Sequence, residues 1–412
     1  MRAITFLSIF LFLTTAQAQV NNKLAKSPPM GWNSWNYFGK ENINENLIKE
    51  VIDAMAEKNL HKSGYEYIVV DGGWRDTKLG PDGQLLPNPT KFPGGMKALA
   101  DYAHAKGFKF GLHTVPGSHD CGCDKVGGWG IEQVHVNQFI EWGVDFIKLD
   151  RCRFSLNEHP EGRPRKDTIW FNGWDKEGKN IEEAYTKWAK LLKDSQRNIL
   201  LSASAYKFYS WYPKLTHMGR TTGDIKSIQT GGAVFESDNN RLNSVMKVAD
   251  LNNKHHKYAR PGYWNDPDML VTGEQGLTIE EQKSHFALWC IMSSPLILGN
   301  DPRNMKDQEL KIITNKKAIE VNQDPREQGY RIKQEDKTEV WAKKLQDGSY
   351  AVLLLNRDSA IKNIRLNFSD LKLNNKQHIK DIFEEKPLGS FNTAFTGTVP
   401  PHSSLFITVQ PE

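Results

Sequence analysis

From about residue 28 to 325 the chain alternates between short strand-like runs and amphipathic helical ones, and this alternation constrains the fold more than any other feature. The strand-like runs are MGWNSW, YEYIVVDGGW, FKFGLHTV, VDFIKLD, NILLSAS, a short one near HMGRTTGDI, YWNDPDML and SPLILGN. Between them lie INENLIKEVIDAMAEKNL, GGMKALADYAHAKG, GIEQVHVNQFIEWG, IEEAYTKWAKLLKDS, NSVMKVADLNNKHHKYA and TIEEQKSHFALWCIMSS, apolar at helical spacing. MKDQELKIITNKKAIEVNQ closes the series as one further helical stretch. About eight strand–helix pairs in roughly 300 residues predict an α/β fold of the (β/α)8 TIM-barrel kind. A doubly wound open sheet would alternate in the same way, but no glycine-rich phosphate turn follows the first strand. After NQDPREQGY the pattern changes to TEVWAKKL, SYAVLLLN, IKNIRLNF and SSLFITVQ, short alternating runs separated by turn residues. These predict a small antiparallel β-sandwich. The expected layout is a barrel over 24–326 and a C-terminal β-domain over 327–412.

Barrels of this kind carry their chemistry on the C-terminal ends of the strands. Those ends are polar here: NSWN, DGGW, KLD, GRTTGDI and YWNDPDM. Asp71, Asp150, Asp224, Asp266 and Asp268 are expected on one rim, beside Trp35, Trp74 and Trp264. A single acid in such a place is most often a cap or loop residue; five on one rim need another account. Aromatic faces suit the C–H faces of a sugar, and carboxylates suit its hydroxyls. Two carboxylates can then divide the work of glycoside hydrolysis, one attacking the anomeric carbon or activating water, the other protonating the leaving oxygen. Lys148 lies two residues before Asp150, on the same side of the strand, and favours the ionised form of that acid. Arg220, four residues before Asp224, suits a substrate hydroxyl or the acid itself. Aspartates also bind magnesium or calcium, but no HExxH and no tight Asp/His spacing supports a metal, and none is expected.

The formal charge is +5, with the positive residues scattered rather than gathered in a stripe, so nucleic-acid binding is not indicated. The first 18 residues, MRAITFLSIFLFLTTAQA, have a basic start, an apolar run and a small-residue end. They predict a cleavable secretory signal peptide, too short to anchor in a bilayer, and hence a secreted or periplasmic protein. An oxidising compartment permits a bridge from Cys121 or Cys123 to Cys152. A zinc site on the same thiols lacks an evident fourth ligand. Cys290, in the apolar run FALWCIMSSPL, reads as a buried small hydrophobe.

The sequence resembles the family 27 glycoside hydrolases of the melibiase (α-galactosidase) type, through PPMGWNSWNYF, GVDFIKLDRC, RTTGDI, PGYWNDPDML, HFALWCIMSSPLILGND and NQDP in that order. The resemblance implies a barrel followed by an antiparallel β-domain, hydrolysis of terminal α-galactosides with retention, and no cofactor. Some members act instead on α-N-acetylgalactosaminides or β-L-arabinopyranosides. It further implies Asp150 as nucleophile and Asp224 as acid/base, with Trp35, Asp71, Lys148, Arg220, Asp268 and Met269 against the sugar. Cys152 matches the motif cysteine, whose partner lies after strand three, where Cys121 and Cys123 both stand.

Several positions depart from the family pattern. DGGW retains Asp71 but places Gly72 where a second aspartate is usual. Ser204 and Tyr206 replace a C-x-W, His113 replaces a tyrosine, and DRCRF adds arginines beside the nucleophile. The catalytic pair is intact, and the part of the pocket that reads the sugar is altered. Gly72, without a side chain, is expected to leave a small void.

Overall fold

The computed structural model describes residues 24–122, 124–154, 169–170, 179–239 and 241–412. The expected signal segment and Cys123 lie outside these residues. Eight parallel strands form the barrel: β1 (Met30–Asn33), β2 (Tyr67–Val70), β3 (Lys109–Thr114), β4 (Phe146–Asp150), β5 (Leu200–Ser204), β6 (Met218–Arg220), β7 (Trp264–Asp266) and β8 (Leu296–Leu298). They are hydrogen-bonded in the order β7-β6-β5-β4-β3-β2-β1-β8. An isolated parallel bridge between Leu270 and Leu298 closes the ring, with Leu270 N donating to the Ile297 carbonyl at 2.7 Å and Gly299 N to the Leu270 carbonyl at 2.9 Å. The fold is therefore a closed α/β barrel.

The helices owe their places to caps and apolar stripes. Helix α1 (Glu45–Glu57) starts at Asn44, whose side chain accepts from Leu47 N, and buries Ile48, Val51, Ile52 and Met55 on one face. Helix α2 (Ile279–Ile291) opens with a Thr278/Glu281 capping box. Its second half, from Phe286 to Ile291, is buried all round. It is covered by the barrel on one side and by the C-terminal sheet on the other, against which it packs. The stretch MKDQELKIITNKKAIEVNQ, expected as one helix, forms two, Asp307–Ile313 and Lys316–Gln323. Asn315 ends the continuity because its side chain turns to accept from Ala318 N at 2.9 Å.

The C-terminal region is an antiparallel β-sandwich. Its strands are β9 (Tyr330–Glu335), β10 (Thr338–Lys344), β11 (Tyr350–Asn356), β12 (Lys362–Asn367), β13 (Gln377–Asp381), β14 (Pro387–Phe391), β15 (Ala394–Val399) and β16 (Ser404–Pro411). Six form one sheet in the order β9-β10-β11-β16-β13-β14, and β12 pairs with β15 in a second. Alternation in β11 and β16 sends Val352, Leu354, Ile407 and Val409 into the space between the sheets, where Ile364, Leu366 and Phe395 meet them.

Charges join the two units. Glu339 is 1% exposed, yet its Oε1 accepts from Arg331 Nη1 at 2.6 Å and Arg357 Nη1 at 2.8 Å, and its Oε2 from Trp341 Nε1 at 2.7 Å. Both arginines also reach barrel acids: Arg331 reaches Asp250, and Arg357 reaches Asp250 and Glu236. Removing Glu339 takes away the buried carboxylate on the C-terminal side and leaves the two guanidinium groups with Asp250 and Glu236 on the barrel side. Glu339→Ala, which also strips the Trp341 indole N–H of its acceptor, should destabilise the protein by about 1–3 kcal/mol in denaturant titration; an unchanged midpoint and slope would show that this junction contributes nothing.

Candidate active site

The strand ends meet in a pocket with about 640 Å³ of empty space, open solvent at its mouth included, lined among others by Trp35, Asp71, Gly72, His113, Lys148, Asp150, Tyr206, Arg220, Asp224, Asp268 and Met269. Two buried clusters of charge form its floor and one wall.

The first cluster is built on β1 to β5. Asp71, just past β2, accepts on Oδ2 from Lys148 Nζ at 2.6 Å and Asn33 Nδ2 at 2.8 Å, and on Oδ1 from Gly72 N at 2.8 Å. Burial pushes its carboxyl up, but the Lys148 charge and then that of His113 outweigh burial and hold it well below the usual carboxylate range. Lys148 is correspondingly raised: burial lowers it, and Asp71 followed by Asp150 more than restores it. Asp150 ends β4. Its Oδ2 accepts from Tyr206 Oη at 3.2 Å and from His113 Nε2 at 3.3 Å, the only sense in which a carboxylate can join these pairs. Its buried Oδ1 accepts no bond among the described residues. Burial favours the neutral acid; the His113 bond, the His113 charge and the Lys148 charge together lower it below its ordinary value. Lys148 thus supports the ionised form of Asp150 through the field, while its hydrogen bond goes to Asp71.

The second cluster follows β6 and β7. Arg220 is buried and places Nη2 2.9 Å from Asp268 Oδ2 and 3.1 Å from Asp224 Oδ1. Burial pushes the Asp268 carboxyl up, against the pull of Arg220. Asp268 also accepts from Ile225 N and Met269 N, and it stands at φ 102°, a left-handed conformation that side-chain-bearing residues rarely adopt. Such a conformation persists only where the surroundings fix it, and here two hydrogen bonds and the Arg220 ion pair to one side chain do so. Asp224 differs from every other acid of the site: its side chain is 62% exposed, at the pocket mouth. One acid is held ionised on the floor and the other meets solvent at the rim.

Most residues picked out from sequence converge here, with three corrections. Trp74 does not line the pocket; it is fully buried, donates from Nε1 to the His113 carbonyl at 2.9 Å and meets Trp142 edge-on. Trp264 begins β7 rather than ending it, so it sits at the opposite end of the barrel and donates to the Ala25 carbonyl at 2.8 Å. Asp266 lies beneath the pocket, accepting from Asp268 N at 2.8 Å. Trp35 alone of the three tryptophans faces the cavity, 36% exposed. Nor is there an open void at Gly72: a Cβ built there would lie 3.3 Å from Trp35 Cζ3, so the indole edge occupies that corner. Gly73 beside it has φ 101°, and a Cβ there would collide with the Lys40 carbonyl at 2.3 Å, which makes glycine obligatory at this turn. The sequence reading missed Asn33, Lys40, Arg75 and Asp120. Asn33 was visible in NSWN as a polar strand end; Lys40 and Asp120 belong to loops, and Arg75 starts a short hairpin strand, Arg75–Leu79, whose placement over the mouth depends on the closed barrel.

Cys121 and Cys152 form a disulfide with Cα atoms 4.8 Å apart, and Cys290 is free and buried. The bridge ties the loop after β3, which supplies Asp120, Cys121 and Gly122 to the pocket, to the chain just beyond Asp150. His113, Asp150 and Cys152 come within ligand distance of one another. The Cys152 sulfur is committed to the disulfide, so this group offers no thiolate to a metal.

Fold and site together define a barrel glycoside hydrolase. The family model for alpha galactosidase A matches residues 27–166 and 163–324, and that for the alpha galactosidase C-terminal beta sandwich domain matches 335–409. Alpha-galactosidase 2 of Arabidopsis thaliana is 36% identical over 396 residues, 95% of this chain and 91% of its own length. The crystal structure of alpha-galactosidase I from Mortierella vinacea superposes with a TM-score of 0.84 at 28% identity, covering 95% of this chain and 99% of that one. A β-L-arabinopyranosidase from Geobacillus stearothermophilus, 22% identical, shares the fold with a TM-score of 0.78 over 95% of this chain and 98% of its own. The chain belongs to the α-galactosidase (melibiase) family of glycoside hydrolases.

The Cys121–Cys152 bridge closes a separation of 31 residues, and its loss should cost about 2–4 kcal/mol. Cys152→Ser should lower the denaturation midpoint, and non-reducing peptide mapping of the wild type should recover the Cys121–Cys152 pair. Finding Cys152 as a free thiol would remove the bridge.

Proposed function

We propose that this enzyme is a secreted or periplasmic exo-glycosidase that removes terminal α-D-galactosyl residues from glycans by double displacement, with a catalytic barrel over 24–326 and a β-domain over 327–412. Asp150 attacks the anomeric carbon and Asp224 protonates the leaving oxygen, then draws the proton from the incoming water. Trp35, Asp71, Lys148, Arg220, Asp268 and Met269 bind the sugar. No cofactor and no partner other than the carbohydrate enters the reaction. The observation that carries this reading is the contrast between the two acids. A buried carboxylate held ionised by His113 and Lys148 suits a nucleophile, and an exposed one at the mouth, next to Arg220, can exchange protons with leaving group and water. The signal-like N-terminus and the disulfide support export.

The assignment separates the variants. Asp150→Ala should abolish turnover of every aryl α-galactoside, whereas Asp224→Ala should hurt poor leaving groups most, because activated phenols depart without a proton. Equal losses across leaving groups in both variants would contradict these roles.

A second reading keeps the mechanism and changes the sugar, to a β-L-arabinopyranoside, an α-N-acetylgalactosaminide or a non-galacto pyranoside. The specific observation behind it is the Gly72 corner, where an indole edge stands in place of a carboxylate acceptor. Gly72 has no left-handed φ, so an aspartate fits the backbone, provided Trp35 yields by a few tenths of an ångström. Restoring one charged hydrogen bond of about 1.5–3 kcal/mol corresponds to roughly ten- to a hundredfold in rate. Gly72→Asp should raise kcat/KM on simple aryl α-galactosides. A folded variant that turns over more slowly would show that the corner is already matched to galactose, and a panel of aryl glycosides would identify the preferred sugar.

A further inference from the structure

We propose that Tyr206 is a positioning residue for Asp150 whose hydroxyl works chiefly in the second half of the reaction, when the sugar leaves the carboxylate. The inference rests on Asp150 being the nucleophile. β5 pairs with β4 so that Ser204 stands opposite Asp150, and Arg151 N donates to the Ser204 carbonyl at 2.8 Å. Two residues further on, Tyr206 takes φ 60°, a left-handed conformation unusual for an aromatic residue. Its hydroxyl comes to lie 3.2 Å from Asp150 Oδ2. The Arg151 guanidinium, 5.2 Å from the ring centroid, covers the ring. A left-handed aromatic held at its ring by Arg151 and at its hydroxyl by a reactive carboxylate is more than packing.

The chemistry indicates which step gains. In the first step an Asp150 oxygen lone pair forms the bond to the anomeric carbon, and the bond to the leaving oxygen breaks with its electron pair. That oxygen takes the Asp224 proton. In the second step water attacks the same carbon and gives its proton to Asp224. The carbon–oxygen pair returns to Asp150, which becomes a full carboxylate again. The ester of the intermediate accepts a hydrogen bond weakly and the carboxylate accepts it strongly. A fixed hydroxyl donor therefore stabilises charge as it develops in the second step, while in the first it loses strength as the charge is consumed. Burial, then the charges of Asp150 and Asp224, raises the phenol, so it remains a donor.

Tyr206→Phe keeps the ring and its contact with Arg151 and removes only the donor. With 2,4-dinitrophenyl α-galactoside, whose first step is fast, kcat should fall about ten- to a hundredfold and KM should fall with it. On that account kcat/KM changes by less than about threefold. Intact-mass measurement at steady state should show the glycosyl adduct accumulating, and peptide mapping should place it on Asp150. Equal losses in kcat and kcat/KM with no adduct, or unchanged kinetics, would overturn the proposal. A control keeps this separate from the reading beneath it: wild type treated with a fluorinated galactosyl fluoride should be labelled on Asp150. Labelling elsewhere would overturn the nucleophile assignment itself, whereas correct labelling with no kinetic split in Tyr206→Phe would overturn only the role of Tyr206.

Discussion

Lys148 and Asp71, 2.6 Å apart, form an almost fully buried ion pair on which the rest of the site depends. Burying two charges costs several kcal/mol per ion unless both find further partners. The barrel supplies them from three strand ends. Asn33 and the Gly72 amide complete Asp71, and the charge of Asp150 adds to that of Asp71 around Lys148. A lone buried Asp150 would tend to take up a proton. With the Lys148 and His113 charges beside it, its carboxyl is lowered instead. Within the pair it is Lys148 that, after His113, helps keep the neighbouring acid charged where burial alone would neutralise it, while the Asp71 charge opposes it.

Backbone strain and covalent linkage gather around the same point. Asp268 at φ 102° and Tyr206 at φ 60° both line the pocket, and each is fixed by contacts of its side chain. The disulfide holds the loop after β3 against the end of β4. Strained residues fixed at a site fit pre-organisation, in which charged groups are set before substrate arrives rather than collected by it. Asp224, more exposed and held by Arg220 and by its own chain, retains the access to water that a proton shuttle needs.

Much of this was legible in the sequence because it is local. Strand–helix alternation declares the barrel, and residues two apart on a strand share a face, which links Lys148 to Asp150. The hydrogen-bonded partner of Lys148 was not legible: Asp71 lies 77 residues away, on a strand separated from β4 by β3. Only closure of the barrel brings them together. The same limit explains the tryptophans. Proximity to a polar strand end does not say whether a ring faces the mouth, as Trp35 does, packs behind it, as Trp74 does, or sits at the far end, as Trp264 does. In the C-terminal sheet β14, PLGSF, lies mostly exposed and shows no apolar alternation, so it carried no strand signal. Gly72 was legible as a departure, but its consequence was not, since the indole that occupies the corner comes from another strand end.

The central claim is that an ionised Asp150 attacks the sugar directly. Following hydrolysis of an aryl α-galactoside by proton NMR tests it most directly, because the anomeric form of the first sugar released records how many displacements occurred. Two displacements predict α-galactose as the first product, with the β-anomer arising later by mutarotation. If β-galactose appears first, water attacks in a single step, and Asp150 is not the nucleophile.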